Sequence, residues 1–94
     1  MITYRAAYKY CDDGVHAEVL DFPGAISCGQ SIEQARENLA GALVDMAETQ
    51  LQCGAALPVP DTSATDTESD VEEPIHLLLT ASSRVNIVPE PVGP

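Results

Sequence analysis

Four carboxylates crowd the start of the chain: Asp12, Asp13, Glu18 and Asp21. Carboxylates brought together on a small sheet are the raw material of a two-metal nuclease, where paired ions about 4 Å apart clamp the attacking and leaving oxygens. That chemistry requires convergence. Asp12 and Asp13 precede Gly14 in a run that wants Asp for its own turn geometry, and Glu18 falls on the opposite strand face from Val19. The reading of turn acids and solvated strand-face acids is therefore preferred, and neither metal nor cofactor is expected. The only histidines, His16 and His76, share no spacing that joins them. Each reads as a strand-surface residue available to a partner. Cys11, Cys28 and Cys53 are odd in number and form no C-x-x-C pair, which argues against a disulfide framework or a zinc site. They read as reduced thiols in a cytoplasmic protein. A Cys–His nucleophile would need an orienting group and an oxyanion hole, and the sequence carries no signature of either. The residues read as those of a binding protein, not an enzyme.

Charge narrows the partner. Among 94 residues there are fifteen acids against four bases, Arg5, Lys9, Arg36 and Arg84, for a formal charge of -11. Such a surface repels phosphate backbones, so direct nucleic-acid binding is not expected. It suits encounter with a basic protein, where opposite fields speed association. No apolar run approaches the roughly 20 residues needed to cross a bilayer, and the N-terminus has no signal-peptide pattern. The expectation is a soluble, cytoplasmic protein with one domain and one modest core.

Those residues need elements to hold them. Ile2 to Tyr10 alternates as a strand, with Tyr4, Ala6, Tyr8 and Tyr10 on one face and Thr3, Arg5, Ala7 and Lys9 on the other. Asp13-Gly14 signals a hairpin, and Val15 to Leu20 returns as the second strand. Pro23 breaks the pairing, Gly24 relieves the bend, and Ala25 to Cys28 resumes as a short third strand. Ser31 with Gln34 three residues on has the spacing of a capping box. Ile32, Ala35, Leu39, Ala42, Leu43 and Met46 then form one helical apolar stripe, ended by Gly54. Gly41 is out of place in a helix and points to a close approach, either to the sheet or to a helix of another subunit. Leu57-Pro58-Val59-Pro60 is extended. Residues 61-73 read as a flexible acidic linker, too polar to offset the entropy of ordering. Ile75 to Ala81 reads as a near-continuous apolar strand buried on both faces or at an interface, with Val85, Ile87 and Val88 extending the pairing. The expected organisation is a core at 1-60, the linker at 61-73, a closing strand of the same domain at 74-88, and a loose tail at 89-94. The fold class is α+β: a two-layer βββαβ domain, one long helix packed on a small, mainly antiparallel sheet.

Taken together, the opening strand with Tyr4, the Asp13-Gly14 turn, Asp21-Phe22-Pro23-Gly24, Gly29, Ser31, Glu33, Ala35, Asn38, Ala42, Gly54 and Leu57-Pro58-Val59-Pro60 resemble the HicB-like antitoxin domain of type II toxin–antitoxin systems. The resemblance covers about residues 2 to 60, with a weaker match near Ile75. It implies a degenerate RNase H-like domain without nuclease activity. It also implies a role: binding and neutralising a small basic HicA-like toxin that cleaves mRNA. Ser82 to Pro94 is too short and proline-rich for the C-terminal DNA-binding module that many members carry, so the chain is read as a solitary form and operator binding is not carried over. An orphan, self-associating HicB-like protein without a toxin is the alternative, and a metal-dependent nuclease is the weakest reading. A small sheet with exposed edges predicts a homodimer or homotetramer. Charge complementarity places partner recognition on the exposed helix face, at Glu33, Glu37, Asp45 and Glu48. Asp21, Phe22, Pro23, Gly24, Gly29 and Ser31 are assigned to folding.

Overall fold

The computed structural model describes residues 1–79. The chain runs β1 (Ile2–Cys11), β2 (Gly14–Val19), β3 (Ile26–Gly29), α1 (Ile32–Gln52) and β4 (Val71–Leu77). The strands form one antiparallel sheet in the order β3-β2-β1-β4. With α1 on one face, this is the two-layer α+β architecture that the sequence pattern implies. The expected pairing through Val85, Ile87 and Val88 and the tail at 89–94 lie outside the described residues.

Strand period sets the core. Tyr4, Ala6 and Tyr8 of β1, Val15, Ala17 and Val19 of β2, and Ile75 and Leu77 of β4 point at the helix and are buried. The helix answers with Ala35, Leu39, Leu43 and Ala47, one residue per turn. Ala6, Ala17, Ala35 and Ala47 are fully buried, and such short side chains let the two layers approach closely. Tyr10 shares the alternation but lies past the buried cluster and is 54% exposed. Ala7 reverses its expected exposure. It lies on the outer sheet face yet is only 3% exposed, because its flanking residues Arg5 and Lys9 both reach across to the segment before and within β4.

The helix is capped at both ends by its own sequence. Ser31 sits in extended backbone and its hydroxyl accepts the Gln34 N–H at 3.1 Å. The reciprocal half of the capping box is displaced by one residue, since Gln34 Oε1 accepts from the Gln30 N–H at 2.7 Å. At the other end Gly54 N–H bonds Leu51 O and Ala55 N–H bonds Gln50 O, with Gly54 at φ 79°, which is a Schellman closure. Gly41 does not lie against the sheet. It is exposed, and a Cβ there would meet nothing within 4 Å.

Three expectations are corrected. Asp12 and Asp13 form the hairpin turn, and Gly14 opens β2 opposite Cys11 instead of sitting inside the turn. β4 starts at Val71, so the last three residues of the expected linker belong to the sheet. Nor is β4 buried on both faces. Among the described residues it is an edge strand, with Ile75 and Leu77 inward, Pro74 and His76 exposed, and Leu78 beyond it 63% exposed. Proline has no N–H to give a ladder, and an edge strand accommodates it by turning that position outward.

Candidate functional site

The carboxylates that first suggested chemistry do not meet. Asp12 and Asp13 are exposed at the hairpin tip, Glu18 is half-buried on the outer face opposite Ile26, and Asp21 lies beyond the end of β2. Among the described residues no three metal-ligating side chains are placed to hold an ion. His76 is engaged with the Thr3 hydroxyl at 3.0 Å. His16 faces Cys28 across the β2–β3 ladder, and both line a shallow depression of about 220 Å³ with Cys11 and Asp13. Cys11 and Cys28 stand on strands separated by β2 and two residues out of line, too far apart to share a bond or an ion. All three cysteines are free thiols, and all three are exposed, which departs from the buried or half-buried place their small apolar character suggests.

Asp21 has a structural job. Its Oδ1 accepts the Arg5 N–H at 2.8 Å and its Oδ2 accepts the Asp61 N–H at 2.9 Å. One carboxylate thus ties the central strand to the segment that leaves the helix. Phe22, fully buried, meets Tyr4 edge-on with ring centroids 5.2 Å apart, and the Tyr4 hydroxyl donates to Pro58 O at 2.8 Å. Gly24 turns the chain at φ 92°, with the end of Met46 against it. At Gly29 a Cβ would lie 2.5 Å from the Ala35 backbone nitrogen, so the helix start can seat there only over a glycine. Pro23 is exposed in the same turn.

The acidic segment is tied down by hydrogen bonds. Glu72 accepts from the Thr65 hydroxyl at 2.8 Å, the Asp66 N–H at 3.1 Å, the Ser69 hydroxyl at 3.2 Å and Arg5 at 3.1 Å. The Thr65 and Asp66 bonds lead in holding this carboxyl down at about 2, with Arg5 and Ser69 adding and burial opposing. Arg36 of the helix makes a bidentate pair with Glu73 at 2.8 Å on both bonds and lies 5.8 Å over the Tyr8 ring. Burial pushes the Tyr8 phenol up to about 12, with Glu73 adding to the effect and Arg36 opposing it. Lys9 reaches Glu68 at 3.4 Å. Every Lys and Arg among the described residues is therefore paired with an acid between 68 and 73. Composition showed how few bases there were, but not that one segment would take every one of those described.

Among the described side-chain charges, what remains unpaired is acidic and displayed. Glu33, Glu37, Gly41, Asp45 and Glu48 recur at intervals of four or three, a single stripe opposite the buried Ala35–Leu39–Leu43–Ala47 face. Glu33, Glu37 and Asp45 are exposed, Glu48 is half-buried, and none of the four acids has an ion-pair partner among the described residues. A second feature lies at the start of the acidic segment. There Thr3, Tyr4, Arg5 and Asp21 meet Pro60, Thr62 and Pro74 around a pocket of about 260 Å³. Among the described residues no helix is long and apolar enough to cross a membrane.

No family model and no curated protein matches the sequence. Solved structures do match the fold. The N-terminal domain of the antitoxin HicB of Burkholderia pseudomallei is similar at a TM-score of 0.68 and 23% identity, over 83% of this chain and all of that one. The B. pseudomallei antitoxin HicB structure aligns at 0.74 and 23% identity, over 99% of this chain and 72% of that one. A chain of a HicA3–HicB3 toxin–antitoxin complex aligns at 0.61 and 15% identity, over 83% of this chain and all of that one. Identities this low speak for architecture, and the architecture they show is that of a HicB-like domain.

Proposed function

We propose that this protein is a non-enzymatic, antitoxin-like regulator that binds a small basic HicA-like toxin and neutralises its mRNA cleavage by direct protein–protein contact. The observation that carries the reading is the shared fold, which includes a chain from a toxin–antitoxin complex. Charge supports it: with a formal charge of -11 and its described bases already engaged, the chain offers a basic partner acids that have no ion-pair partner among the described residues. The contact surface we assign is the helix stripe Glu33, Glu37, Asp45 and Glu48. Pairing with neutral backbone groups elsewhere leaves this stripe as the largest displayed run of unpaired carboxylates on one element.

A homodimer or homotetramer belongs to the same reading, and the sheet edges constrain how it would form. Pro74 interrupts the donor row of β4, and Asn38 Nδ2 donates to the Cys28 carbonyl of β3 at 2.8 Å. Edge-to-edge sheet extension is thereby disfavoured at both ends. The test is to mix the purified chain with a HicA-like toxin and follow size and mRNA cleavage together. A stable complex with cleavage suppressed is the expected result. Self-association with no toxin binding would overturn the neutralising role in favour of an orphan interaction protein.

A further inference from the structure

We propose that the pocket between β1 and the start of the acidic segment is an anchor site for one lysine or arginine side chain of a basic protein partner. The inference rests on the basic-partner reading above and goes beyond it in naming where a single side chain is held. Asp21 is half-buried in this pocket, and each of its oxygens accepts one bond, from the neutral N–H groups of Arg5 and Asp61. A carboxylate offers about four acceptor positions, so roughly half of its capacity is open. It has no ion-pair partner among the described residues.

The surroundings favour a cation. Arg5 also lines the pocket, but its charge is met by Glu72, while Asp21 and the adjoining Asp61 leave the neighbourhood negative. Pro60 and Pro74 supply an apolar wall for an aliphatic stem, and Thr3 and Thr62 supply hydroxyls that accept from an ammonium or guanidinium. One buried side-chain donor among the described residues lacks a partner, Arg5 Nε. It is closed to solvent and so does not open an anion site in the pocket, where an isolated anion would have to sit beside Asp21.

The experiment is an amide NMR titration of the full chain with N-acetyl-lysine N-methylamide, run against the norleucine and glutamate analogues. The lysine compound is expected to shift the amides of Thr3, Arg5, Asp21 and Thr62 saturably, with the effect shrinking in high salt, and the norleucine compound to leave them in place. Thr62→Trp fills the pocket while leaving Asp21 itself unsubstituted and should weaken the lysine compound about tenfold, the loss of one charge-assisted bond. Stronger binding of the glutamate analogue, shifts confined to residues 33–48, or no shift would overturn the proposal. The toxin separates the two readings. If wild type binds a HicA-like toxin and Thr62→Trp binds it equally, the anchor fails and the antitoxin reading stands. If wild type does not bind the toxin, that reading fails and the lysine titration decides the anchor alone.

Discussion

At the scale of single residues, Asp21 and Gly41 show opposite relations between identity and fold. Asp21 satisfies two backbone donors 16 and 40 residues away, so removing its oxygens strands a part-buried N–H on the central strand. Asp21→Ala should cost about 1–3 kcal/mol in urea unfolding, and Asp21→Asn, which keeps one acceptor oxygen, clearly less. Equal losses for the two would show that one acceptor oxygen is not enough and that both bonds are needed together. Gly41 satisfies nothing inside the chain. Its exposure and the open space around its missing Cβ predict that Gly41→Ala stabilises by roughly 1 kcal/mol, read as a higher urea midpoint at unchanged m-value. The Asp-Phe-Pro-Gly run was legible as a turn, because Pro and Gly punctuate the chain locally. Its aspartate's bonds were not, because their donors belong to strands and loops that only the fold brings near.

At the scale of elements, the strand and helix signals that act within a few residues translated directly: α1 runs Ile32–Gln52 between its Ser31 cap and Gly54, as its periodicity implies. β4 and the segment before it did not. Val71-Glu72-Glu73 is polar enough to read as linker, and it becomes strand because β1 pairs with it across more than sixty positions and Arg5 and Arg36 take its acids. Composition counts charges but does not show which ones will accept N–H and O–H groups. The consequence is a measurable acid response. Glu72 titrates at about 2 in the fold against an ordinary 4.5, and Arg36 holds Glu73 below the usual range as well. Both values are depressed, so the stability these groups contribute is complete above the unfolded value and drains away as pH falls from about 4.5 toward about 2. Thermal midpoints should therefore drop through that window, and Glu72→Gln should flatten part of the drop while lowering stability at neutral pH. An unchanged acid profile in the variant would remove Glu72 as the hub of the segment.

At the scale of the whole molecule, the charges divide into two sets with different work. The acids between 68 and 73 neutralise the described bases and fasten β4 and its approach to the sheet, whereas the helix stripe carries acids with no counterpart among the described residues. Unpaired like charges four apart slightly destabilise their own helix, and Gly41 in the same stripe does so too, so this face is not arranged for the benefit of the isolated fold. Reversing charges in the two sets should then have separable effects. Glu37→Lys combined with Asp45→Lys should leave the thermal midpoint close to wild type or raise it, since it relieves repulsion in a chain of formal charge -11. Against a basic toxin the same double variant should associate more slowly and bind more weakly, and its affinity should depend less steeply on salt, because long-range attraction is what a Debye length of about 8 Å at physiological ionic strength screens. Glu73→Lys should do the reverse. It breaks a bidentate pair between helix and edge strand, so its first effect is a lower midpoint, and any loss of binding should be recovered at temperatures where the variant is fully folded. Equal binding by wild type and the double variant at low salt would take the helix stripe out of the interface and leave the pocket beside Asp21 as the place to look for the contact.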